Sequence, residues 1–227
     1  MENQHPSSKQ KIFNLIILDE SGSMSSIKRD IIRGFNEVVQ TIQSVATEFP
    51  DQEHRISLFT FNSKGTKLLL DNESVDLLTK IDDTLYRPDE STPLYDAMGI
   101  AINHQRNLIQ SVDNPHVLVT ILTDGEENAS KEFEGAQIKA MVEELKEKQW
   151  TFTYIGANHD VNVFAERLSI SNRLAFAADE EGVKEMFTQD MHARRMYSYK
   201  IAMNESSVDD YFSLLDDQKD DDNKTKS

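Results

Sequence analysis

No cysteine occurs among the 227 residues. That excludes disulfides, thiolate zinc sites, iron–sulfur clusters and a cysteine nucleophile. No apolar run approaches the ~18 residues that a membrane span needs. Positive charge is in the minority, with 24 Lys and Arg against 40 Asp and Glu and a formal charge of −16. Such a chain repels phosphate backbones, so nucleic acid is not an expected partner, whereas cations or basic partners suit it. The polar start, M-E-N-Q-H-P-S-S-K-Q-K, leads into a short apolar run that ends in acidic residues without a small-residue cleavage site. A signal peptide is therefore not expected, and a soluble cytoplasmic protein with no membrane contact is. Nor is there an H-E-x-x-H, a G-x-G-x-x-G, a P-loop or a G-x-S-x-G elbow. The six histidines show no metal spacing and read as surface or packing residues.

What is present is alternation. Apolar residues make up 38% of the chain, enough for one large domain with a sizeable core. Residues 12–18 (I-F-N-L-I-I-L) read as a buried strand closed by Asp-Glu-Ser-Gly. From about 26 to 49 apolar residues recur at helical spacing until Pro50 stops them. Residues 55–61 alternate as a strand and turn through Asn62-Ser63-Lys64-Gly65 into a hairpin partner at 66–70. A short helix is expected over 74–81, a loop over 86–92 and a helix from Pro93 to about 110. Residues 116–123 (H-V-L-V-T-I-L-T) are the clearest buried strand. A helix at about 133–148, a strand at 150–156, a short helix at 161–168, a strand at 172–177 and a last helix at about 181–203 complete the pattern.

Strands separated by helices imply crossovers. The expected fold is α/β and Rossmann-like: a doubly wound, mostly parallel six-stranded sheet with one antiparallel edge strand and helices on both faces. Residues 1–10 read as a flexible N-terminus, 11–203 as the domain and 204–227 as a tail. The tail carries eight acidic residues against three lysines and is expected to be mobile and to add little to the fold, despite Tyr211, Phe212, Leu214 and Leu215. Its Asp216–Asp222 cluster lacks the glycine and terminal glutamate of a calcium loop. Arg194, Arg195 and Lys200 are expected to pair with surface acids.

In such a sheet ligands bind at the carboxyl ends of the strands, where strand order reverses. After the first strand stand Asp19, Ser21 and Ser23, and after the strongest strand stands Asp124, followed by Glu126 and Glu127. Thr92 stands directly ahead of Pro93. Two carboxylates and three hydroxyls can converge at one edge. All are hard oxygen donors, which suit Mg²⁺ or Mn²⁺ in octahedral geometry with waters retained, and suit Ca²⁺ less. Singly, each also has an ordinary role: Asp19, Ser21 and Thr92 as helix caps, and Asp124-Gly125 as a turn.

D-E-S-G-S-M resembles the D-x-S-x-S motif of von Willebrand factor A-type domains. T-P-L-Y-D-A and L-T-D-G resemble the two later elements of the family's metal-ion-dependent adhesion site, in the same order, over residues 11–203. The hydrophilic start is similar to that of free-standing intracellular bacterial members. The resemblance implies a metal held by the hydroxyls of Ser21, Ser23 and Thr92 and, directly or through water, by Asp19 and Asp124. One position is left open for a Glu or Asp of a partner protein. Asp89 and Glu90 depart from the small residues common there; they would repel an acidic ligand, supply a ligand in cis, or point outward, and the last is expected. Asp96 matches the family's aspartate and would orient neighbouring groups or serve as a first-turn acid.

Two function classes follow. The first is a metal-dependent protein-interaction module, in which the metal does no chemistry. The alternative is a Mg²⁺-dependent phosphoryl-transfer or hydrolytic enzyme on the same site. Against the second, Ser21 replaces the second aspartate of a D-x-D pattern and no nucleophile–base pair or catalytic lysine can be placed. Partner identity and oligomeric state are not legible.

Overall fold

The structure, a computed structural model, describes residues 9–78, 80–205 and 209–212. In chain order its elements are β1 (Gln10–Asp19), α1 (Lys28–Glu48), β2 (Gln52–Asn62), β3 (Gly65–Ser74), α2 (Leu94–Ile109), β4 (His116–Thr123), α3 (Gly135–Lys146), β5 (Trp150–Gly156), α4 (Val161–Arg167), β6 (Asn172–Ala175) and α5 (Glu180–Ala202). A 3₁₀ turn, Gly22–Ile27, leads into α1. The six strands form one sheet in the order β3-β2-β1-β4-β5-β6. β1 pairs in parallel with both β2 and β4, while β3 returns antiparallel along β2 as a hairpin. This is the doubly wound sheet with one antiparallel edge strand that the alternation predicts.

Period-two alternation along β1 divides the core. Phe13, Leu15 and Ile17 face one layer, where they meet Ala97 and Met98 of α2, Ile138 and Val142 of α3, and Phe164 of α4. Ile16 and Leu18 face the other, against Ile31, Phe35 and Val38 of α1 and Met186 and Phe187 of α5. Helices thus cover both faces, and for that reason the central strands β1 and β4 are buried along nearly their whole length. Among the described residues no helix is long and apolar enough to cross a membrane.

The contact between α1 and α5 depends on a missing side chain. A Cβ placed on Gly34 would lie 1.9 Å from Phe187 Cδ2 and 2.5 Å from its Cγ. Gly34→Ala must therefore push the Phe187 ring or part the helices. Overpacking of this kind costs about 1–3 kcal/mol, so a melting curve should shift down by about 2–12 °C for a chain of this length. The added replacement Phe187→Ala should relieve part of the clash.

Four expectations are corrected. The helix expected over 74–81 is only a 3₁₀ turn, Val75–Leu77. Asn36 of α1 explains why: its side-chain amide donates to Ile81 O at 3.0 Å and its Oδ1 accepts from Ile81 N at 3.0 Å. That pair satisfies backbone groups a helix would otherwise serve. Arg194 is not a surface residue. It is buried, donating to Asp190 Oδ2 at 2.7 Å, Thr120 Oγ1 at 2.8 Å and Asn14 Oδ1 at 3.2 Å; Arg195 and Lys200 pair with Glu48 and Asp210. The tail is not wholly detached, because Asp209–Phe212 docks on the domain and Tyr211 is 3% exposed. Gln10, placed in the N-terminal segment by sequence, already belongs to β1, and its Nε2 donates to Ile201 O. Residues 1–8, Leu214, Leu215 and the Asp216–Asp222 cluster lie outside the described residues.

Candidate functional site

β1 and β4 are the central neighbours at which strand order reverses, so their following loops leave toward opposite faces and open a crevice between them. Asp19 is the last residue of β1 and Asp124 the first after β4. Both are buried. Asp19 Oδ1 accepts from Ser21 N at 2.7 Å, which bends the chain out of the strand, and its Oδ2 accepts from Thr123 Oγ1 at 2.5 Å. Ser21 precedes the 3₁₀ turn without capping it by its side chain. Its hydroxyl instead lies 3.1 Å from that of Ser23, and Ser23 Oγ donates to Asp124 Oδ1 at 2.5 Å. The four residues from the two strand ends are therefore one connected cluster.

Thr92 arrives from a third segment. Its N–H donates to Asn128 Oδ1 at 3.0 Å and its carbonyl accepts from Asn128 N at 3.1 Å, which ties it to the loop after β4. It is not the cap of α2: Pro93 takes that position, and Glu127 Oε2 accepts from Tyr95 N in the first turn at 2.9 Å. The Thr92 hydroxyl makes no hydrogen bond among the described residues. An ideal Cβ on Gly125 would stand 3.4 Å from Thr92 Oγ1 and 3.8 Å from Ser23 Oγ. The two hydroxyls thus flank one small space, left free because residue 125 has no side chain. All five residues singled out by sequence lie at this crevice.

The surrounding acids play other parts. Glu127 is consumed by Tyr95 N, Ala129 N, Ser130 N and Ser130 Oγ. Asp96 lies in the first turn of α2 and receives the amides of Lys131, Glu132 and Phe133, each at 2.8 Å, so it pins the loop that follows β4. Asp89 and Glu90 point outward, both toward Lys64. Glu126 is exposed in a cleft of about 330 Å³ beside the site, lined also by Tyr95, His159, Phe164 and Arg167. Sequence reasoning missed three contributors. Thr123 holds Asp19, Tyr86 OH donates to Asp19 O at 2.7 Å, and buried Glu20 holds the loop before Thr92. Only Thr123 gave a signal, as a hydroxyl at the strand end directly before Asp124.

Burial pushes the Asp19 carboxyl up to about 6; the bonds from Thr123 and Ser21 work against the rise, and the nearby Asp124 charge adds to it. Burial likewise raises Asp124, opposed by the bond from Ser23. Burial and then the charges of Asp19, Asp124 and Glu20 push the Tyr86 hydroxyl well up, so it stays a donor. The donor chemistry fits a small hard cation. Asp124 Oδ2 is buried with no hydrogen-bond partner among the described residues. A carboxylate oxygen stranded in this way costs free energy unless something positive meets it. Among the described residues no three His, Asp or Glu side chains assemble for a metal. A cation here would rest on two carboxylates and hydroxyl oxygens.

Residues 15–190 match the von Willebrand factor type A domain family. No curated protein matches the chain. Among solved structures, proximal thread matrix protein 1 from the mussel byssus is similar at 12% identity and a TM-score of 0.54, covering 84% of this chain and 47% of that one. A second crystal form of the same protein gives a TM-score of 0.51. This chain spans about half the length of that mussel protein. The SpRpn10 VWA domain is similar at 10% identity and a TM-score of 0.53, covering 78% of this chain and 94% of that one. At such identities these likenesses speak for the fold. Domains of this family are generally protein-interaction modules, often metal-dependent, rather than enzymes. With the family match running from within β1 into α5 and the six-stranded sheet in place, the chain belongs to the von Willebrand factor type A domain family.

Proposed function

We propose that this chain is a metal-dependent protein-interaction module. Asp19, Ser21, Ser23, Thr92 and Asp124 would hold Mg²⁺, with Mn²⁺ as the nearest substitute. The bound cation would supply a Lewis-acid contact for a Glu or Asp of a partner protein. The observation that carries this reading is the buried, unpartnered Asp124 Oδ2 beside the Ser21, Ser23 and Thr92 hydroxyls. Asp89 and Glu90, drawn outward to Lys64, leave the crevice to the partner. We place the protein in the cytoplasm, where a chain without cysteine is at home.

Capture of partners with and without Mg²⁺, comparing wild type with Thr92→Ala, tests the reading. EDTA or the substitution should weaken capture, and an undiminished complex in EDTA would sink it. Stability gives a second measurement. A cation at about a hundredfold excess over its dissociation constant, binding only the native state, adds about 2.7 kcal/mol. For a chain of this length that is a rise of about 5–10 °C in melting temperature. Asp124→Ala should abolish the rise and leave the metal-free protein as stable as wild type or slightly more so, since it removes a buried carboxylate with an unpaired oxygen. A melting curve indifferent to millimolar Mg²⁺ and Mn²⁺ would count against a working site.

A further inference from the structure

Glu20 stands between Asp19 and Ser21, yet its carboxylate turns away from the candidate metal set. Its side chain is fully buried, and its two oxygens reach two different segments. Oε1 accepts from Arg87 N at 2.7 Å, and Oε2 accepts from Lys67 Nζ of β3 at 2.9 Å. The backbone of the same residue adds three ties: its carbonyl accepts from Asp89 N at 2.9 Å and from Asn62 Nδ2 at 3.4 Å, and its N–H donates to Phe61 O at 2.8 Å. Burying a carboxylate is expensive, and an apolar residue of similar volume is often neutral or better for stability. The carboxylate is thus better explained by what it arranges than by stability.

What it arranges is the approach to Thr92. Residues 87–91 belong to no helix or strand. Proline at 88 has no N–H to give, so the amides of Arg87 and Asp89 are the donors on either side of it, and both end on Glu20. Glu90 takes a left-handed φ of 68°, costly for a residue with a side chain. Its carbonyl there accepts from Gly22 N at 2.9 Å. Ser91 O accepts from Ser63 N at 3.0 Å, and Thr92 follows. Each step toward Thr92 is fastened to the loop after β1 or to the hairpin.

We propose that Glu20 is the positioning residue of the site: its carboxylate locks the loop before Thr92 onto the loop carrying Asp19, Ser21 and Ser23, and so sets the spacing between Thr92 and the other oxygens. Its use in metal binding rests on the reading above, whereas the locking itself does not. Glu20→Met fills the same space without the acceptor. Glu20→Gln keeps one oxygen for Arg87 N–H. Amide exchange at Arg87 and Asp89, measured by NMR in metal-free protein, should speed up about tenfold or more in Glu20→Met and little in Glu20→Gln, with global stability close to wild type in both. Mn²⁺ affinity, with Mn²⁺ alone as the probe, should fall about 10–100-fold in Glu20→Met, the usual loss when a residue orienting a ligand is removed. Glu20→Gln should recover most of it. In a Thr92→Ala background Glu20→Met should cost little more, because the two act through one element.

Unchanged exchange in Glu20→Met overturns the inference, whether or not the wild type binds Mn²⁺. Losses that add fully in the double variant overturn it too. A wild type that binds no Mn²⁺ overturns the metal reading instead, and the exchange data then decide on the locking.

Discussion

Tyr211→Ala is expected to lower the melting temperature by about 6–20 °C. The residue lies beyond α5 in an acidic stretch, but its ring is buried among Ile12, Leu118, Ala193, Tyr197 and Ile201. It meets Tyr197 and Phe212 edge-on at 6.1 and 4.8 Å between ring centres. Its hydroxyl donates to Asp190 Oδ1 at 2.9 Å, and its N–H donates to Asn172 Oδ1 at 2.8 Å at the start of β6. Deleting a large aromatic from such a site costs about 3–5 kcal/mol. Tyr211→Phe, which keeps the ring and removes only the bond to a charged partner, should cost about 1–3 kcal/mol. Flanking ion pairs, Lys146–Asp209 and Lys200–Asp210, are partly exposed and add less. Thermal melts of the two variants and of a chain ending at Glu205 check the ranking. A shortened chain that melts with the full-length protein would show that the docked segment contributes nothing.

Why sequence reasoning set this segment aside is physical. Composition averages over a window, and around Tyr211 that average is polar and acidic. The pocket for its ring is built from the helix just before it, α5, and from β1 and β4, which are far away along the chain. Arg194 was misplaced for the same reason. Its nearest acid, Asp190, is four residues back on its own helix and readable, but Asn14 and Thr120, which let a guanidinium be buried, come from two strands. Residues 74–81 carry a helical spacing of apolar side chains, and no local rule shows that Asn36 will claim Ile81's backbone. Strands and long helices were legible because each announces itself by its own period. The five site residues were legible because each follows or precedes such an element within a few positions. Glu20 was hidden in plain view: its neighbours form the motif, and nothing in the sequence says that its carboxylate faces the other way.

In metal-free buffer two buried groups should pull stability in opposite directions as pH changes, and single substitutions should separate them. Asp19 has its pKa raised from 3.8 to about 6, chiefly by burial. The fold therefore favours its protonated form, and this contribution is fully present below pH 3.8 and lost as pH rises through about 6. At 1.36 kcal/mol per pKa unit the change is about 3 kcal/mol. His54 is the reverse case, lowered from 6.5 to about 4 by burial and then by the charge of Arg194. Its ring lies 3.1 Å through Nε2 from Gln52 Oε1, which accepts, so Nε2 carries the proton. Its Nδ1 is buried with no hydrogen-bond partner among the described residues, and protonating it would bury a second cation near Arg194. The His54 contribution is present above pH 6.5 and lost as pH falls through about 4, again by about 3 kcal/mol. Between pH 4 and 6 the two slopes nearly cancel. Urea unfolding in EDTA across that range should show Asp19→Asn gaining on wild type by about 3 kcal/mol as pH rises. His54→Gln should gain by a similar amount as pH falls. Saturating Mg²⁺ needs the ionised carboxylate and should erase the Asp19 slope in wild type while leaving that of His54. Curves for Asp19→Asn that run parallel to wild type would mean that the carboxyl is not held toward its protonated form.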